Sequence, residues 1–114
     1  MSTNKIRNSH AIVKIAGNLD GQKSDELMIA IEKQIIPGNV DILVDFEKVE
    51  YISSMGIGTL ISLYSDIKEK NGRMVLYGIR DVVKEVFNRT YLNKQLTICD
   101  TQKDALDLLR NKHN

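Results

Sequence analysis

The chain has one cysteine, Cys99, and one proline, Pro37, in 114 residues. A lone cysteine cannot close an internal disulfide, so a disulfide-stapled secreted scaffold is excluded. With no second cysteine and no spaced histidine pair, no metal site is expected. Cys99 reads as a small hydrophobe at the end of an apolar strand. Histidine is almost as scarce. His10 falls at the start of a predicted strand and His113 in the tail, so general acid–base catalysis lacks its usual carrier. No catalytic residue, enzyme activity or cofactor is expected. Charge of one sign is missing as well: sixteen Lys and Arg oppose fifteen Asp and Glu, for a net charge of +1. That balance lacks the basic footprint of a nucleic-acid binder. Apolar runs stop at five residues, far below the roughly 20 that cross a bilayer. No apolar leader follows Met1, so a cytoplasmic location without membrane contact is expected. What remains is an ordinary globular composition, 42% hydrophobic and 27% charged, which excludes disorder and collagen-like repeats. A single domain over residues 1–114 is expected, large enough for a core without metals or disulfides.

Alternation over residues 10–16 places Ala11, Val13 and Ile15 on one face of a strand, and residues 5–7 suggest a short strand beside it. Gly17-Asn18-Leu19-Asp20-Gly21 has turn chemistry. A helix capped by Ser24 should follow, with Asp25 and Glu26 at its positive end and Leu27, Met28, Ile31 and Ile35 at helical spacing, ended by Pro37-Gly38. Residues 41–45 form an apolar run that suits a strand covered on both faces. Residues 46–52 then carry the chain across to a helix over 54–70, whose stripe is Ile57, Leu60, Ile61, Tyr64 and Ile67. Asn71-Gly72 stops it, and 74–77 follows as a buried strand. Asp81 caps a helix that turns Val82, Val83, Val86 and Phe87 inward, residues 96–99 supply a last strand, and Thr101-Gln102-Lys103-Asp104 is a capping box for a final helix frayed from about residue 111. This alternation predicts an α/β fold, a mostly parallel sheet of four to five strands with an antiparallel N-terminal edge strand and about four helices.

Two hydroxyls and two glycines crowd the start of the best helix, in Tyr51-Ile52-Ser53-Ser54-Met55-Gly56-Ile57-Gly58. Each glycine inside a helix costs about 1 kcal/mol relative to alanine, so the pair implies close backbone approach to a neighbouring element or to another molecule. One reading is a serine N-cap with small residues packed on the sheet. The other is an anion or phosphorylation site, because the helix start favours negative charge. A nucleotide-binding loop fails on context: position 61 is Ile where G-x-G-x-x-G needs its third glycine, and no phosphate-loop motif occurs. A serine-hydrolase elbow fails too, since it would need glycine where Ile52 stands.

These residues resemble the STAS domain family, and within it the small free-standing bacterial anti-sigma-factor antagonists. Ala16-Gly17-Asn18-Leu19-Asp20 looks like the family's turn before the first helix. The stretch from Val44 and Asp45 through Glu50, Tyr51 and Ile52 resembles its strand and crossover, and Ser53-Ser54-Met55-Gly56-Ile57-Gly58 is similar to its D-S-[ST]-G-L-G signature. The resemblance implies a partner switch. The unmodified protein binds an anti-sigma factor with Ser/Thr kinase activity; phosphorylation releases it, and a phosphoserine phosphatase restores it. Aligned on the glycine pair, the phosphorylated serine falls on Ser54, with Ser53 as second choice. Ser53 occupies the family's acidic position and Met55 stands in place of Ser or Thr. The partner-binding surface implied comprises Asp20, Ser53, Ser54, Met55, Gly56, Gly58 and Thr59. Two rival readings are a non-switching scaffold module and a small-ligand or anion sensor built on the helix start.

Overall fold

The computed structural model describes residues 10–35 and 41–111. The strand expected at residues 5–7 with its antiparallel pairing, the Pro37-Gly38 stop and His113 lie outside the described residues. Strand β1 (His10–Leu19), helix α1 (Gly21–Gln34), β2 (Asp41–Ile52), α2 (Ser54–Glu69), β3 (Arg73–Tyr77), α3 (Asp81–Arg89), the single turn α4 (Leu92–Gln95), β4 (Thr97–Cys99) and α5 (Gln102–Asn111) follow in order. Among the described residues the sheet has four strands in the order β1-β2-β3-β4, all pairing parallel. This is the α/β alternation expected, with α4 as a fifth, one-turn helix.

Two apolar layers sandwich the sheet. Leu27 and Ile31 of α1, Leu60, Leu63 and Ile67 of α2 and Val83 and Phe87 of α3 pack with Val44, Phe46 and Leu76 on one face. On the other, Leu43, Val75 and Tyr77 meet Ala105 and Leu109 of α5. Strands covered on both sides explain the unbroken apolar runs of β2 and β3. Phe46 meets Phe87 edge to face, with ring centroids 6.0 Å apart at 74°, a geometry that adds about 1 kcal/mol beyond the area buried. As expected, Thr101 caps α5, its Oγ1 accepting from the Asp104 amide at 3.1 Å.

The largest departure concerns β1 and β2. Both run on beyond the boundaries expected, through Gly17-Asn18-Leu19 and through residues 46–52. Their ladder shifts register between Lys14 and Ala16 and again between Gly17 and Asn18, then closes with Asn18 opposite Tyr51 and Leu19 opposite Ile52. Gly17 takes φ +80° beside the second shift, a left-handed backbone that glycine adopts without a Cβ penalty. The bulges also explain why the end of β2 hid from a period-two reading: Phe46, Val49 and Ile52 are buried while 47, 48, 50 and 51 are exposed, a period of three. β3 pairs with β2 only as far as Asp45, so β1 and β2 continue past it as a two-stranded arm.

Helix starts and faces are corrected in turn. α1 begins at Gly21, capped by Asp20, while Ser24 is buried inside its first turns. Asp25 and Glu26 therefore sit a turn further in than expected. On α2 the buried line is Gly56, Leu60, Leu63 and Ile67; Ile57 and Tyr64 are half-buried and Ile61 is exposed. The helix is rotated toward its side-chain-free edge, where Gly56 lets it approach β1. Asp81 is the first residue of α3, and Arg80 occupies the cap position with no side-chain capping bond, its Nε donating instead to the Glu47 carbonyl at 2.9 Å. Val82 points out, 54% exposed, because Val83 and Phe87 already fill the inner face.

Candidate functional site

Because Leu19 and Ile52 stand opposite each other at the ends of parallel strands, the residues that follow them, Asp20 and Ser53, cap α1 and α2 side by side. Two positive helix ends thus open together at the carboxyl ends of adjacent strands. The Asp20 carboxylate Oδ1 accepts from the Lys23 amide at 3.0 Å, and the side chain is otherwise exposed. Ser53 is the tie between the two elements. Its Oγ accepts from the Gly56 amide at 3.2 Å and donates to the Leu19 carbonyl at 3.1 Å, which its own amide also reaches at 3.0 Å. A hydroxyl held this way is spent on structure. Removing it in Ser53→Ala should cost about 1 kcal/mol, the usual worth of an N-cap, read as a lower midpoint in chemical denaturation.

Ser54 is different. It is the first residue of α2, exposed, and takes no part in the cap. A helix start leaves over four amides. Those of Ser53 and Gly56 are satisfied inside the fold, leaving those of Ser54 and Met55 at the positive end. Met55 is 62% exposed and reaches across to α1, so that a Cβ added at Gly21 would meet its Sδ at 3.0 Å. The structure therefore brings Asp20, Ser53, Ser54, Met55 and Gly56 into one place, with exposed Gly58 and half-buried Thr59 one turn along α2.

The two glycines have different reasons. A Cβ on Gly56 would lie 2.5 Å from the Leu19 carbonyl oxygen and 3.0 Å from Leu19 Cγ and Ile52 Cγ1, so this glycine serves close approach within the fold. Nothing stands within 4 Å of the corresponding position on Gly58. Its helix cost is not offset by any close contact among the described residues. Gly58→Ala should stabilise the isolated protein by about 0.5–1 kcal/mol and raise its Tm by a few degrees.

Sequence reasoning missed two contributors: the Leu19 carbonyl that receives Ser53 and Gly21 under the Met55 thioether. Tyr51, at the head of the serine–glycine segment, is 53% exposed two residues before the cap, and its outward phase follows from the bulged ladder. Elsewhere, Cys99 is half-buried; burial pushes its thiol pKa up, and Asp104 and Asp100 add to the rise, which disfavours the thiolate. Among the described residues no group of three or more His, Cys, Asp or Glu could hold a metal ion. No helix among them is long and apolar enough to cross a membrane.

Similarity to known proteins bears on this arrangement. The chain is 22% identical over 89 residues, 78% of each sequence, to the anti-sigma-B factor antagonist of Listeria monocytogenes. Its fold resembles a sulfate transporter family protein from Wolinella succinogenes, with a TM-score of 0.77 at 18% identity over 89% of this chain and 84% of that one. It also resembles the unphosphorylated anti-sigma factor antagonist SpoIIAA, with a TM-score of 0.69 at 19% identity over 90% of both chains. The family model of the STAS domain matches residues 2–105. With nearly its whole length matched and its strands and helices in the same arrangement, the chain belongs to the STAS domain family.

Proposed function

We propose that the protein is an anti-sigma-factor antagonist, a regulatory binding domain without catalytic activity of its own, switched by phosphorylation of Ser54. The observation that carries the reading is the division of labour between adjacent serines: Ser53 is consumed as a cap while Ser54 is presented to solvent at the first turn. A kinase reaches an exposed hydroxyl, and the paired helix starts tolerate the added charge, so modification leaves the fold intact. The antagonist names of relatives such as the Listeria protein support the partner class. The likeness to SpoIIAA and to a sulfate transporter family protein supports the fold alone.

In the unmodified state the surface around Ser54 docks an anti-sigma factor that is also a Ser/Thr kinase, with Asp20, Met55, Gly58 and Thr59 in the contact. A phosphoserine phosphatase reverses the release. Recovery of the protein from cells tests this reading, with mass-spectrometric mapping of modified sites and identification of what copurifies with each form. An ATP-binding kinase accompanying only the unmodified form is the expected result. Stable copurification regardless of Ser54 modification would instead establish a non-switching scaffold.

A further inference from the structure

β4 is short, and its first residue, Thr97, pairs with Val75, so Arg73 and Met74 of β3 run on past its end. There, at the opposite end of the sheet from Ser54, a cavity of about 300 Å³ opens between the last turns of α2 and the face of α5. Its lining includes Tyr64, Lys68, Arg73, Met74, Thr97 and Leu108. Along α2, Lys68 lies about 21 Å from Ser54 at 1.5 Å per residue, so this place is separate from the surface described above.

The lining has a definite chemistry. Met74 and Leu108 are apolar. The Tyr64 and Thr97 hydroxyls bond to each other at 3.1 Å; one O–H is used in that bond and the other remains to donate, with lone pairs to spare. Arg73 is pinned on Asp41, its Nε at 3.2 Å and Nη2 at 2.9 Å from the carboxylate oxygens, and Nη2 also donates to the Leu109 carbonyl at 2.9 Å. It is therefore a rigid wall whose charge is already matched. Lys68 forms no ion pair with any of the described residues, and no Asp or Glu lines the cavity among them. At about 30 Å³ per water, the volume has room for roughly ten heavy atoms.

We propose that this cavity binds a small amphipathic carboxylate, its head on the Lys68 ammonium and the Tyr64–Thr97 hydroxyl pair and its hydrocarbon against Met74 and Leu108. Octanoate and octanamide, of equal size and differing in charge, are the probes. Titrated into the ¹⁵N-labelled protein, octanoate is expected to saturate with a dissociation constant near or below about 1 mM. The amides of Gly72, Arg73, Met74 and Thr97 should shift while those of Gly21, Ser54 and Gly56 stay in place. Octanamide should bind about two- to fivefold more weakly, and Lys68→Gln should weaken octanoate by about the same factor without moving octanamide. Lys68 is exposed, so that variant keeps its fold. The assignment is overturned by a failure to saturate below about 5 mM, by shifts elsewhere, by equal binding of the two probes, or by a Lys68→Gln variant that holds octanoate as the parent does.

Discussion

Ser54→Ala is expected to bind the anti-sigma factor as the unmodified protein does and to accept no phosphate, whereas Ser54→Asp loses affinity while its Tm stays within a few degrees. The asymmetry is electrostatic. A phosphoserine adds about −1.5 to −2 charges near neutrality. Facing one acid of the partner about 6 Å away, each charge costs on the order of 1 kcal/mol in water and about 3 at an effective dielectric of 20. Full phosphorylation then weakens binding between roughly tenfold and several thousandfold. Aspartate, with one charge, should weaken it between about threefold and a hundredfold. Because Ser54 is exposed and outside the cap, none of this requires the domain to refold. Dissociation constants and phosphate stoichiometry with the cognate kinase decide the matter; full phosphate uptake by Ser54→Ala would remove the site assignment.

Gly56→Ala is expected to be strongly destabilising, costing about 3 kcal/mol and lowering Tm by roughly 10–15 °C. The added Cβ would fall 2.5 Å from the Leu19 carbonyl oxygen, a backbone atom that cannot rotate aside. Relief requires α2 to lift from the β1–β2 arm. That movement stretches the Gly56 amide from Ser53 Oγ and Ser53 from Leu19, the bonds that set where Ser54 stands. Partner binding should therefore fall further than the population of folded protein explains. Thermal unfolding of Gly56→Ala beside Gly58→Ala is the sharp comparison, because the same chemical change two residues away meets open space and is expected to stabilise. Equal effects at the two positions would refute the account of why each glycine is there.

Much of the framework was legible because its signals are local. The apolar runs of β2 and β3, the stop at Asn71-Gly72 and the Thr101 cap of α5 depend on neighbours within a few residues. The crowded serines and glycines of α2 were visible for the same reason. The misreadings share a different cause. Gly17-Asn18 has turn composition, yet it stays in β1 because a partner strand and a bulge hold it there. Ser24 is a sound cap candidate by type, but Asp20 lies where β1 ends and wins the position. Spacing alone places Val82 and Ile61 inward, while contact with the sheet turns each helix so that other residues fill the core.

From its residues alone the chain determined an α/β alternation, the lack of any internal disulfide in a sequence with one cysteine, and a hydroxyl-glycine cluster at one helix start, since composition and short-range periodicity carry those facts. Which serine is spent on the cap and which is exposed, why one glycine packs against a carbonyl while its neighbour faces open space, and the meeting of two helix starts at one strand end were decided by tertiary structure. The reason is distance along the chain. The carbonyl that engages Ser53 belongs to Leu19, 34 residues earlier, and only the register of two parallel strands sets them side by side.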